Sequence, residues 1–148
     1  LQDSINMALD IVYSSLQDNF IKLENNINKL SPININTISG ELSEVIINVI
    51  NNAKDVIIDK EVDEAYIKVN LIHLNKKIVI SIEDNGGGIP DDIMPRIFEP
   101  YFTTKHKTQG TGLGLHMSYK IITESLMGRI YAQNTDNGAK FFIELPLD

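Results

Sequence analysis

The chain has 148 residues, 20 acidic and 13 basic, for a formal charge of −7, with 43% hydrophobic and 22% charged residues and no cysteine. That composition belongs to a folded globular domain with a core of its own, and its acidic surface excludes nucleic acid and anionic lipid as direct partners. The missing cysteines exclude disulfides, thiolate metal sites and a thiol nucleophile, and no apolar run approaches the roughly 18 residues of a membrane span.

In chain order, Ile5, Leu9, Val12, Tyr13 and Leu16 recur at helical spacing and predict an amphipathic helix over 2–17. Residues 20–24 predict a short strand and 32–38 a second one. The long helix over 41–59 carries Leu42, Val45, Ile46, Val49, Ile50, Ala53, Val56 and Ile57 as one apolar stripe, with Ser39-Gly40 as its N-terminal cap region. Residues 65–74 and 77–83 alternate like strands around a turn at Asn75-Lys76. The stretch 84–111 is rich in Gly, Pro and Thr, with a short helical segment over 91–97. A helical pattern resumes over 112–127, and 128–134 with 139–145 predict a closing hairpin around Thr135-Asp136-Asn137-Gly138. Helices mixed with mainly antiparallel strands predict an α+β fold, a two-layer α/β sandwich with helices on one face of the sheet.

Four strings carry chemistry. On the long helix, Glu44, Asn48, Asn52 and Asp55 project opposite the apolar stripe. A solvated polar face would account for them, but Asn is a poor mid-helix residue, and its neutral carbonyl oxygen suits Mg²⁺ beside phosphates. After the strand over 77–83 comes Asp84-Asn85-Gly86-Gly87-Gly88-Ile89-Pro90. A tight turn needs one glycine; three allow positive φ and a close ligand approach. A carboxylate at Asp84 can accept from the N6 amine of adenine but not from the O6 of guanine, a choice that favours ATP over GTP. Phe98 to Lys105 sets aromatics before Thr103, Thr104 and Lys105, a flap with hydroxyls and one cation. Gly110, Thr111, Gly112, Leu113, Gly114 and Leu115 open the next helix, where free N–H groups and the helix dipole suit phosphate oxygens. No Gly-Lys-Ser/Thr occurs, so this is not a Walker A loop, and the glycine spacing is not that of a dinucleotide fingerprint.

In this order the strings resemble the N, G1, F and G2 boxes of the ATP-binding domain of sensor histidine kinases, in the superfamily shared with DNA gyrase, the MutL repair protein and a heat-shock chaperone. The closing run from Gly138 to Pro146 resembles that family's last strand. The resemblance implies that Asn52 coordinates Mg²⁺ with Asn48 and Asp55 lining the same site, and that Asp84 binds adenine. Gly86 and Gly88 would admit the base and its waters, Ile89 and Leu113 would pack near it, and Thr103 to Lys105 with Gly110 to Gly114 and Leu115 would form a lid over the phosphates, mobile over 106–110 without ligand. It implies ATP and Mg²⁺ as cofactors, a dimerisation and phosphoacceptor domain and a response regulator as partners, and a cytoplasmic location with a membrane anchor possible only elsewhere in the parent.

Departures from the pattern bear on activity. Asp55 stands where many relatives place a phosphate-binding Lys or Arg, leaving Lys54 or Lys105 for that role. Ala139-Lys140 stand where relatives often have Thr. Asn48 occupies the place of the water-activating Glu of gyrase-type ATPases, which argues against efficient hydrolysis. None of His73, His106 and His116 has a phosphoacceptor context. The chain therefore reads as one ATP-binding domain over 1–148, cut from a longer kinase and expected not to phosphorylate itself. A gyrase- or chaperone-type ATPase, and a serine-directed regulator or docking module of anti-sigma type, are the alternatives.

Overall fold

The computed structural model describes residues 1–34, 40–100 and 114–147. Five strands form one sheet: β1 (Lys22–Asn25), β2 (Tyr66–Leu74), β3 (Lys77–Asp84), β4 (Arg129–Asn134) and β5 (Ala139–Pro146), in the order β1-β2-β3-β5-β4. β1 runs parallel to β2 and every other neighbour pair is antiparallel, so the sheet is mixed. Helices α1 (Gln2–Asp18), α2 (Glu41–Asp59) and α3 (Gly114–Lys120) complete the α+β sandwich. Among the described residues no helix is long and apolar enough to cross a membrane.

The apolar periodicities translate directly into the core. The α2 stripe buries Leu42, Val45, Ile46, Val49, Ile50, Ala53 and Ile57, and α1 adds Ile5, Leu9, Val12 and Leu16. They meet the inward side chains of the sheet, Ile67, Val69, Ile78, Ile80, Ile82, Ile130, Phe141 and Ile143. Burial of this apolar surface is the main stabilising term. β3 is central and buried on both sides; even Ser81 is covered, between its register partners Asn70 and Phe142.

Several expectations are corrected. Tyr13 is 48% exposed and not part of the α1 stripe, because Val12 beside it already fills that position. Val56 is only half-buried, since it faces the loop after β3 rather than the sheet. β1 begins at Lys22, because Phe20 takes a positive φ of 58° and is 90% exposed. Residues 31–34 form no strand, and the rest of that predicted strand lies outside the described residues. The cap of α2 is backbone only, at Gly40 with φ 98°, and no side-chain bond supports it. The 91–97 segment holds one 3₁₀ turn, Met94–Arg96, and α3 continues into a π-helical turn, Ile121–Ser125.

The helix-free face of the sheet mixes apolar side chains with charges paired across strands. Glu144 is buried on it, accepting from Tyr131 Oη at 2.6 Å and Lys77 Nζ at 3.0 Å, with Arg129 Nη1 at 3.8 Å. Tyr131 stacks on Phe142 with centroids 5.0 Å apart. The Tyr131 hydroxyl and the Lys77 ammonium hold the Glu144 carboxyl below its ordinary value of 4.5. A depressed carboxyl contributes stability that is present above its ordinary value and lost as pH falls through the folded value. Glu144→Gln is therefore expected to be less stable at neutral pH, and the gap to the unsubstituted protein should close as urea titrations move below about pH 4.

Candidate functional site

β3 ends on Asp84, and the chain then leaves the ladder, whose last β3–β5 pair is Glu83 with Lys140. Alternation along β3 turns Asp84 inward with Ile78, Ile80 and Ile82, so a carboxylate lies at the end of a row of isoleucines and is only 6% exposed. Its Oδ1 accepts from the Gly86 N–H at 2.8 Å, and the Ala139 N–H also bonds the carboxylate. Burial pushes the Asp84 carboxyl above its ordinary 3.8, and the two N–H groups and the Lys60 charge only partly offset this.

The three glycines after it do different work. Gly87 and Gly88 take positive φ, 92° and 85°, as expected of a turn that L-residues resist. Gly86 is required by space: a Cβ there would lie 3.0 Å from Asp84 Oδ1 and 3.1 Å from Val56 Cγ1. That second contact ties the loop to α2. One turn before Val56 stands Asn52, and one turn before that Asn48, whose Nδ2 reaches Gly114 O at 3.4 Å and Ser118 Oγ at 3.3 Å on α3. A helix turn is about 5.4 Å, so a single flank of α2 runs from Gly86 at one end to Gly114 at the other, with Asn52 between. Asn52 is half-buried and its carboxamide bonds to no other described residue. The loop after Asp84 thus meets the same flank of α2 that carries Asn52.

Other predicted residues sort as follows. Ile89 is half-buried against the core, and Leu115 likewise on α3. Asp55 is half-buried on α2 and engaged in an interaction. Lys54 points the other way, its Nζ donating to Ser15 Oγ of α1 at 3.0 Å, so it does not serve the Asn52 flank. Thr103, Thr104, Lys105, Gly110, Thr111, Gly112 and Leu113, with the whole expected lid over 106–110, lie outside the described residues. His116 Nδ1 meets Phe98 O at 3.1 Å, a structural contact, and His73 is an exposed residue of β2. Among the described residues no three His, Asp or Glu side chains gather as a metal cage. A hard cation here would rely on amide and ligand oxygens. A concavity of about 520 Å³ bordered by Lys77, Arg129 and Met127 belongs to the other end of β3, about 24 Å from Asp84 at the rise of a strand.

Sequence reasoning predicted the β4–β5 hairpin, which the structure bears out, but missed that this hairpin braces the loop after β3. Asn134 Nδ2 donates to Ile89 O at 2.7 Å while Ile89 N–H donates to Asn134 Oδ1 at 2.8 Å, and Gly87 N–H donates to Asn137 O at 3.0 Å. Gly138 presses on the Asp84 carbonyl so closely that a Cβ would overlap it. Nothing in local spacing marks these residues, which stand 45 or more positions from the loop they hold.

The profile of the histidine kinase-, DNA gyrase B- and HSP90-like ATPases matches residues 37–148. The chain belongs to this family. Membership implies ATP binding. The two-component sensor PprA of Pseudomonas aeruginosa is 36% identical over 112 residues, which are 74% of this chain and 12% of PprA. The catalytic domain of the histidine kinase ThkA superposes with a TM-score of 0.85 at 29% identity, covering 99% of this chain and 91% of that one. ThkA in complex with the response regulator TrrA superposes at 0.80 with 23% identity, covering 100% of this chain and 40% of that one, a likeness of fold alone. The chain thus spans a small part of the length of the sensor proteins it matches.

The buried carboxylate of Asp84 is costly in the free protein. A carboxyl raised by burial destabilises the fold as pH climbs through the folded value, and not below the ordinary one. Asp84→Asn keeps an acceptor for Gly86 and removes the charge. It should unfold at higher temperature than the unsubstituted protein at pH 7, with the difference vanishing below about pH 4; an equal or lower melting temperature at pH 7 would refute this.

Proposed function

We propose that this chain binds Mg-ATP in the cleft between Asp84 and Asn52 and, as the catalytic domain of a sensor histidine kinase, donates the γ-phosphate to a histidine on a separate dimerisation domain. The observation that carries the reading is the pairing of a buried acceptor, walled by Gly86, with an amide on the adjoining helix flank that bonds to no other described residue. Asp84 accepts from the Gly86 and Ala139 N–H groups and, with about four lone-pair sites on a carboxylate, remains able to accept from an exocyclic amine. A guanine would set O6 against that carboxylate, leaving buried acceptors facing one another. Asn52 supplies a neutral oxygen toward the phosphates, and Mg²⁺ held there would neutralise their charge. Lys105, the threonines beside it and the glycines from Gly110 to Gly114 complete the phosphate side in this reading.

The work of such a site is positioning, because phosphoryl transfer asks little covalent chemistry of the protein. Asn48 supports transfer over hydrolysis: an amide accepts no proton from water, and its N–H donors are spent on Gly114 and Ser118. The phosphoacceptor histidine and the response regulator that receives the phosphoryl group are supplied by other segments and proteins, in the cytoplasm and with any membrane anchor elsewhere in the parent. ThkA, of the same fold, is known in complex with a response regulator.

Calorimetric titration should show ATP binding that strengthens with Mg²⁺. Asp84→Asn is expected to weaken it about a hundredfold or more, and Asn52→Ala to remove the Mg²⁺ dependence; unchanged binding in Asp84→Asn would exclude the purine role. Incubated with γ-labelled ATP, the chain alone should stay unlabelled, whereas a histidine-bearing dimerisation domain added in trans should acquire phosphohistidine. Label on the isolated chain, or steady phosphate release with no acceptor present, would overturn the kinase reading.

A further inference from the structure

We propose that Asn134, at the end of β4, is a positioning residue for purine recognition: its carboxamide fixes the path of the 86–89 loop and thereby the face that Asp84 presents to the base. The proposal rests on the nucleotide reading of the Asp84 cleft.

Beyond Asp84 the loop leaves the ladder and two of its residues take positive φ. Its first half is tied by Gly87 N–H to Asn137 O and by the Asn85 carboxamide to Tyr66 N–H and Glu64 O, while its far end is held by the side chain of Asn134. A planar amide bears a donor and an acceptor side by side, and both meet the same residue, Ile89 O at 2.7 Å and Ile89 N at 2.8 Å. Ile89 N–H can only donate and its carbonyl can only accept, so the orientation of the amide is dictated. Asp lacks the donor and Ser is too short to span both atoms. Asn134 Oδ1 also lies 3.0 Å from where a Cβ on Gly88 would be, so the amide rests against the loop itself.

The clamp is carried on a stiff support. Thr135 N–H donates to Gly138 O at 2.8 Å and Gly138 N–H to Thr135 Oγ1 at 3.0 Å, which closes the hairpin turn. Gly138 lies against the Asp84 carbonyl, and the next residue, Ala139, bonds the Asp84 carboxylate. One hairpin therefore holds Asp84 and Ile89, the two ends of the loop that borders the base. Without the clamp the loop samples other conformations, and affinity falls by the fraction that remains competent. Asn48, Asn52 and Gly114, on the other half of the cleft, are untouched.

The test compares the unsubstituted chain with Asn134→Ala and with the near-isosteric Asn134→Asp. Each is titrated with ATP, GTP and tripolyphosphate in the presence of Mg²⁺, well below its melting temperature. Asn134 is exposed, so truncation opens no core cavity. Both variants should lose about tenfold or more in ATP affinity, with the preference for ATP over GTP reduced and tripolyphosphate binding unchanged. Exchange of the Ile89 amide proton in the free protein should quicken in both. Variants that bind ATP as tightly as the parent overturn the proposal, and so does an equal loss for ATP and tripolyphosphate, which would mark a general structural role. A parent chain that binds tripolyphosphate but shows no preference for ATP sinks the purine reading itself, a result separable from the variants' behaviour.

Discussion

A carboxylate taken out of water at the end of a strand of isoleucines is the constraint around which the rest is arranged. Ionised and unpaired, it would oppose folding by several kcal/mol. The backbone N–H groups of Gly86 and Ala139 lower that penalty without removing it, as the raised pKa of Asp84 records. Both donors come from segments that must pack closely, and the glycines follow from that. Gly86 has little room for a side chain beside Asp84 and Val56, and Gly138 has none against the Asp84 carbonyl. What looks in the sequence like one flexible glycine run begins with a buried residue, Gly86, and continues into the exposed Gly87.

α2 acts as the ruler of the cleft. Its buried stripe fixes its rotation against the sheet, and rotation in turn fixes where Asn48, Asn52 and Val56 point. Val56 reaches the loop after Asp84 and Asn48 reaches Gly114 at the start of α3, so one helix flank spans both. Asn52 is left between them, its amide bonded to no other described residue. A poor mid-helix residue is tolerated there because the stripe on the opposite face carries the helix.

The opposite face of the sheet has a different economy. Its charges are satisfied across strands, Glu24 with Lys68, Glu83 with Lys140 and Glu144 with Lys77, and only the Glu144 group is substantially shielded from solvent. Exposed pairs of this kind contribute little each. They pair charges on an open sheet face that also carries the exposed Ile72 and Leu74.

The amino-acid sequence alone determined the helix over 41–59, the hairpins, the helical side of the sandwich and the four glycine- and asparagine-bearing strings, because each is written in local periodicity or composition that neighbours in the chain enforce. The family followed from their order. Short-range signals failed where the deciding contacts are remote or backbone-borne: Tyr13 is solvated because Val12 occupies the stripe, Lys54 turns to Ser15 rather than to the phosphate side, and β1 pairs parallel to β2 across forty residues of chain. Only the tertiary structure decided that the α2 flank carrying Asn52 meets the loop after Asp84 and that Asn134 and Gly138 brace that loop. A hydrogen bond between residues 89 and 134 depends on strand order and register, and neither is encoded by any stretch short enough to read by itself.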